Sequence, residues 1–231
     1  MHTKSITIAA FTALLTALTL GGSIWGFLFL GGPNSVTRLD VIRSDNTVVN
    51  LMAIFMPFLC GGGLWGLGLA RLMNADARSM MKACALTWTA TVVAFGAVIF
   101  FLASFFGGLS RINFLPIFLH SRHYNFLLVF VPIIGIASAI NAYVVTRKLG
   151  FGDKRKFMGM YTGLAAALGF LTVGLILLFG LGWEVGRPVY GKYGMLLLLL
   201  ICSIGAALAG GASLGWMLSK ARESRMENMN A

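Results

Sequence analysis

His120 and His123 stand three residues apart in the stretch "RINFLPIFLHSRHYN", and on a helix they would share one face. That spacing suits a metal ion or a pH sensor. Two features oppose a metal. No carboxylate or thiol lies close by in the sequence, and Arg122 between the histidines would repel a cation. With Arg111, the set Arg111, His120, Arg122 and His123 is read as an outer-face contact, meeting lipid headgroups or a partner. No metal site and no cofactor are expected. The remaining histidine, His2, is near the N-terminus, and a b-type haem needs axial ligands such as His within its helices.

The stretch "CGGGLWGLGLAR", Cys60 to Arg71, poses a second choice. Glycine clusters cradle phosphates where a strand leads into a helix N-terminus and a Lys or acidic partner is at hand. Here the glycines fall late in an apolar run, so a close helix–helix contact is the better reading. Gly62 and Gly66 form a G-x-x-x-G pair, with Gly63 beside them, and Gly211 and Gly215 form another. Gly135 and Ala139 have the same separation. Residues without bulky side chains let backbones approach and gain dispersion contact in lipid. These faces are expected where helices meet a neighbour.

The polar groups inside the apolar runs are mild. Thr12, Thr16, Thr19 and Ser23 fall along one side of the first run, and Thr87, Thr89 and Thr91 lie in the third. With Thr162, Asn50 and Asn141, the set Thr12, Thr16, Thr87 and Thr91 could line a solute path. The competing reading is interhelical bonding, worth about 0.6 kcal/mol per bond, or hydroxyls bonded to their own helix.

All 25 charged residues fall in loops, in tails or at the ends of apolar runs. Mid-membrane charges usually mark proton relays and ion paths, so their absence argues against a proton-coupled pump. It also argues against an intramembrane hydrolase, which needs an acid, a base or an activated nucleophile. Cys60, Cys84 and Cys202 form no C-x-x-C pair and are read as small buried apolar residues.

These residues must be positioned by apolar runs long enough to cross a bilayer. The chain has 231 residues, 58% apolar and 11% charged, against about 25% charged in soluble domains. Six runs are visible, near Ile6–Leu30, Val48–Ala70, Ala83–Phe106, Tyr124–Val145, Met158–Leu181 and Gly194–Leu218. A helix needs about 20 residues to cross, and barrel strands are far shorter. The expected fold is an all-α integral membrane bundle of six transmembrane helices. It is one polytopic domain, 1–231, with a short cytoplasmic tail at 219–231. The first run exceeds the usual h-region of about 7–15 residues, so it is read as a retained helix.

The N-terminal tail, the second and fourth loops and the C-terminal tail carry 12 Lys and Arg, and the other loops carry 6. Both termini are therefore expected in the cytoplasm. The formal charge of +11 reflects this topology and attraction to anionic headgroups on that side, not nucleic-acid binding. Arg147, Lys148, Lys154, Arg155 and Lys156 form a candidate cytoplasmic docking cluster. A bacterial cytoplasmic (inner) membrane is the expected location.

Cut every 75 residues, the chain gives three segments, 1–75, 76–150 and 151–225, each one helical hairpin. Thr12, Thr87 and Thr162 then coincide, as do Gly32, Gly107 and Gly182. Pro57 aligns with Pro132. A triplicated hairpin and three unrelated hairpins both fit. In hairpin count the chain resembles the mitochondrial carrier proteins, but their Pro-x-acidic-x-x-basic motif is missing. The odd runs end in "FLFLGGPN", "ASFFGGLS" and "LLFGLGWE", and no family is assigned. Two functions remain. The favoured one is a non-catalytic subunit or scaffold, packed against other membrane subunits through its Gly/Ala/Ser-rich faces. The other is a permease or channel for a neutral or anionic small molecule, in one form the membrane component of an ATPase-driven transporter.

Overall fold

The computed structural model describes residues 2–31, 47–108, 122–180 and 194–230, and every element among them is helical. Helix α1 spans His2–Gly31, α2 Thr47–Met73, α3 Ala77–Gly108, α4 Arg122–Lys148 and α5 Lys154–Leu175. A π-helical turn, Ile176–Gly180, ends α5, and α6 spans Gly194–Asn230. All six helices contain stretches long and apolar enough to cross a membrane, as the six runs predict. The protein is an integral membrane protein with an all-helical fold.

Two boundaries differ from the runs in an instructive way. Helix α3 starts at Ala77, six residues before the apolar run, because Asp76 caps it. The Asp76 carboxylate accepts from the backbone N–H groups of Arg78 and Ser79, both at 3.2 Å. Helix α6 continues to Asn230 through the segment set apart as a tail. Residues 219–230 contain neither Gly nor Pro and are mostly good helix formers, so nothing local ends the helix there.

The turns α2–α3 and α4–α5 are short and built alike. Asn74 (φ 54°) and Gly150 (φ 74°) take the left-handed conformation just past α2 and α4. The following N–H groups reach back, Ala75 to the Ala70 carbonyl at 2.9 Å and Phe151 to that of Thr146 at 3.1 Å. These six-to-one bonds are the Schellman pattern that satisfies orphaned helix carbonyls. So short a turn forces its two helices to lie antiparallel and adjacent.

Packing follows the order of the chain. Each helix contacts the next, and α6 returns to α1, which closes a ring. The α3–α4 contact is the thinnest of these six junctions among the described residues. One buried cluster joins Ile8, Trp65, Leu69, Met80, Val145 and Leu218 near the two short turns. A second, around Phe170, Leu198 and Cys202, joins α4, α5 and α6. Leu14, Leu18, Leu64, Leu128, Leu164 and Leu168 are exposed on the outside of the ring, as expected of lipid-facing positions. Cys60 is also exposed, whereas Cys84 and Cys202 are buried as expected. Pro57 and Pro132 lie inside α2 and α4.

Candidate functional site

The ring is drawn together by small residues. A Cβ at Gly62 would lie 2.8 Å from the Cys84 carbonyl oxygen, and one at Gly66 would lie 2.6 Å from that of Met80. Gly63 of α2 faces the Met81 side chain of α3. A Cβ at Gly135 would meet the Ala167 Cβ at 3.1 Å, and Ala139 sits against Gly159 and Gly163 of α5. Gly211 and Gly215 press on α1, where a Cβ would lie 2.9 Å from Ala9 Cα and 2.8 Å from Ser5 Cα. Ser5 Oγ adds a hydrogen bond to the Ala212 carbonyl at 2.8 Å. So α2 packs on α3, α4 on α5 and α6 on α1, each through glycine or alanine.

Inside the ring lies a cavity of about 370 Å³ to which all six helices contribute. No charged side chain lines it among the described residues. Its wall on α1–α3 carries Phe58, Trp65, Trp88 and Phe95, with the two indoles 5.7 Å apart between centroids. Of the four threonines on this wall, Thr12, Thr16, Thr19 and Thr91, three have committed hydroxyls. Thr12 Oγ1 donates to the Ile8 carbonyl at 2.7 Å and accepts from Trp65 Nε1 at 3.0 Å. Thr19 donates to the Leu15 carbonyl at 2.7 Å, and Thr91 to that of Thr87 at 2.6 Å.

The wall on α4–α6 is different. Asn141 Nδ2 donates to the Ala137 carbonyl at 2.8 Å, which leaves Oδ1 facing no donor. Thr162 Oγ1 and Ser203 Oγ have no partner either, and both residues are only 5% exposed. An unpaired buried polar atom costs about 1–3 kcal/mol. All three residues line the cavity, but these three atoms are themselves enclosed by protein and present almost no surface to it.

The solute-path residues mostly converge here. Thr12, Thr16, Thr91, Thr162 and Asn141 line the cavity. Thr87 is not among the lining residues and bonds the Ala83 carbonyl at 2.7 Å. Asn50 belongs to α2, but its side chain lies outside the described residues. Sequence reasoning missed Ser138, Ser203, Trp65 and Trp88. The tryptophans did carry a signal. Trp is enriched at membrane interfaces, so two of them deep in apolar runs need another explanation.

The outer-face set is not assembled. Arg111 and His120 lie outside the described residues, as do the side chains of Arg122 and His123 at the start of α4. No group of three or more metal-ligating side chains occurs among the described residues. In the basic cluster, Arg147, Lys148, Lys154 and Lys156 are exposed, and Lys148 Nζ donates to Ser79 Oγ at 3.2 Å. Arg155 is half-buried instead, with its guanidinium 5.6 Å from the centre of the Tyr143 ring. No protein-family model, curated protein or solved structure matches the chain.

Proposed function

We propose that this protein is a non-catalytic permease whose six-helix ring surrounds a central chamber for a neutral small molecule. The observation that carries this reading is the chamber itself: about 370 Å³, lined by all six helices and, among the described residues, by no charged side chain. A volume of that size falls in the range of small-molecule sites. The alternative of a subunit or scaffold rested on the small-residue faces. Those faces contact helices of the same chain, so they offer no surface to a second subunit.

Three finer features belong to the same reading. The G-x-x-x-G pairs Gly62–Gly66 and Gly211–Gly215 act as ring junctions, supported by backbone approaches too close for any larger residue. The 75-residue repeat is supported by Ala9, Cys84 and Gly159, which coincide in register. All three are buried and meet an even-numbered helix across a junction. Both termini are cytoplasmic, so the exposed basic cluster faces anionic headgroups.

Single cysteines at Ala137 and Ala207, both lining the chamber, test the permease. In proteoliposomes each should react with a water-soluble thiosulfonate above the background of the native thiols. A cysteine at lipid-facing Leu164 should not. Chamber cysteines that stay inert from both sides of the membrane would overturn the permease.

A further inference from the structure

Taking the cavity as a ligand chamber, as the permease reading does, we infer that its ligand is a neutral, apolar molecule dissolved in the bilayer. It enters sideways, between α3 and α4, past Gly96.

The lining sets the chemistry. Thr12, Thr19 and Thr91 donate their hydroxyl protons to carbonyls of their own helices. The unpaired atoms of Asn141, Thr162 and Ser203 are enclosed by protein and offer the chamber almost no surface. Thr16 and Ser138 add hydroxyls outside these bonds, and the remaining surface is mainly carbon, from residues such as Trp88, Phe95, Ile133 and Leu199. No counter-charge lines the chamber among the described residues, so an ion inside it would be strongly disfavoured. Apolar cavities of ~150 Å³ stay dry and take up benzene. This one, at about 370 Å³, has room for a larger apolar molecule.

The ring sets the route. At five of its six junctions a glycine lies where an added Cβ would press on the neighbouring helix. The α3–α4 junction has no such glycine among the described residues, and it is also the thinnest. Gly96 of α3 does the opposite, since an added Cβ there would meet nothing within 4 Å. It lines the chamber, and it alone of the lining residues is exposed. Lys148 ties α4 to Ser79 of α3 beside the short turns. Gly96 lies about 25 Å further along α3, at 1.5 Å per residue, and inside the apolar run Ala83–Phe106. A mouth at that depth meets hydrocarbon and not headgroups. Hydrocarbon is also where an apolar molecule concentrates.

The test uses trifluoromethyl phenyl diazirine, a neutral apolar photoprobe. It is added to the full chain in proteoliposomes and irradiated after a short incubation, and mass spectrometry locates the adducts. Adducts at Trp88 and Leu199 in the chamber should saturate with probe concentration and be displaced by excess naphthalene. Those at lipid-facing Leu164 and Leu168 should rise without saturation. Gly96→Leu should lower the chamber adducts about tenfold and leave the lipid-facing ones unchanged, because the new side chain fills the mouth. With nothing near its Cβ, this variant should melt no lower than the parent. Gly21→Leu, at a position equally open but not among the lining residues, should leave the chamber adducts unchanged.

Chamber adducts that fail to saturate in the parent, or that naphthalene does not displace, would overturn the inference without recourse to any variant. A folded Gly96→Leu that labels like the parent would overturn the route. An equal fall in Gly21→Leu would do the same. Reactive chamber cysteines without saturable adducts would mean a path for water-borne solutes, so the permease would stand and this inference would fall. Saturable adducts with inert cysteines would instead remove transport and keep an apolar site open to the bilayer.

Discussion

At Gly66 one added methyl group would land 2.6 Å from the Met80 carbonyl oxygen and 3.0 Å from its carbonyl carbon. Both are backbone atoms, so relief requires α2 and α3 to part. At Gly21, in α1, an added methyl group meets nothing within 4 Å. The two glycines look alike in the sequence and differ only in what faces them. Gly66→Ala should lower the melting temperature in mild detergent, since overpacking costs about 1–3 kcal/mol. Gly21→Ala should leave it unchanged or raise it, through the better helix propensity of alanine. Equal losses in both would mean that these glycines matter through local helix geometry and not through the junction. The polar residues repeat the lesson. Thr87 and Thr162 coincide in the 75-residue register, yet Thr87 bonds its own helix while the buried Thr162 hydroxyl is unpaired. Type and spacing identify a hydroxyl in a span, but they do not say whether its proton is already committed.

At the scale of elements, the helices were legible because they depend on local properties: apolar length, caps and stops. All six spans follow from run length alone. What shifted was set by single groups outside the apolar pattern, as at the start of α3. Asp76→Ala should therefore destabilise by about 1 kcal/mol, the usual value of an N-cap, and Asp76→Asn should recover most of it. Thermal melts of the two variants in one detergent would decide. If Asn and Ala lose equally, the Asp76 side chain acts through its charge and not as a cap. The chamber was not legible in the same way. Its lining is drawn from α1 through α6, from Thr12 to Leu214, residues 202 positions apart in sequence. It exists only because α6 returns to α1. No periodicity within one helix encodes that closure, although the small faces at Gly211 and Gly215 are the part of it that sequence does display.

For the whole molecule, orientation links the chamber to the membrane. The short turns α2–α3 and α4–α5 lie at one end of the ring, where Lys148 of α4 reaches Ser79 of α3. Arg71, Arg78, Lys82, Arg147, Lys154 and Lys156 are exposed in or beside these turns, with Asp76 and Asp153 among them. In the proposed orientation this basic end stays on the cytoplasmic side, because Lys and Arg in short loops resist translocation. Asp153 lies in the α4–α5 turn, exposed, with no side-chain cap bond to α5. Replacing it by cysteine should therefore disturb little. In intact cells or right-side-out vesicles, Asp153→Cys should resist a membrane-impermeant maleimide and react once the membrane is opened. Among the native thiols, Cys84 and Cys202 are buried and Cys60 faces outward from the middle of α2, in lipid, so the new thiol should dominate the signal. Labelling before the membrane is opened would invert the molecule. The basic end would then face outward, and the proposed pairing with anionic cytoplasmic headgroups would fall with it. The chamber would remain, since it depends on the ring and not on its direction in the bilayer.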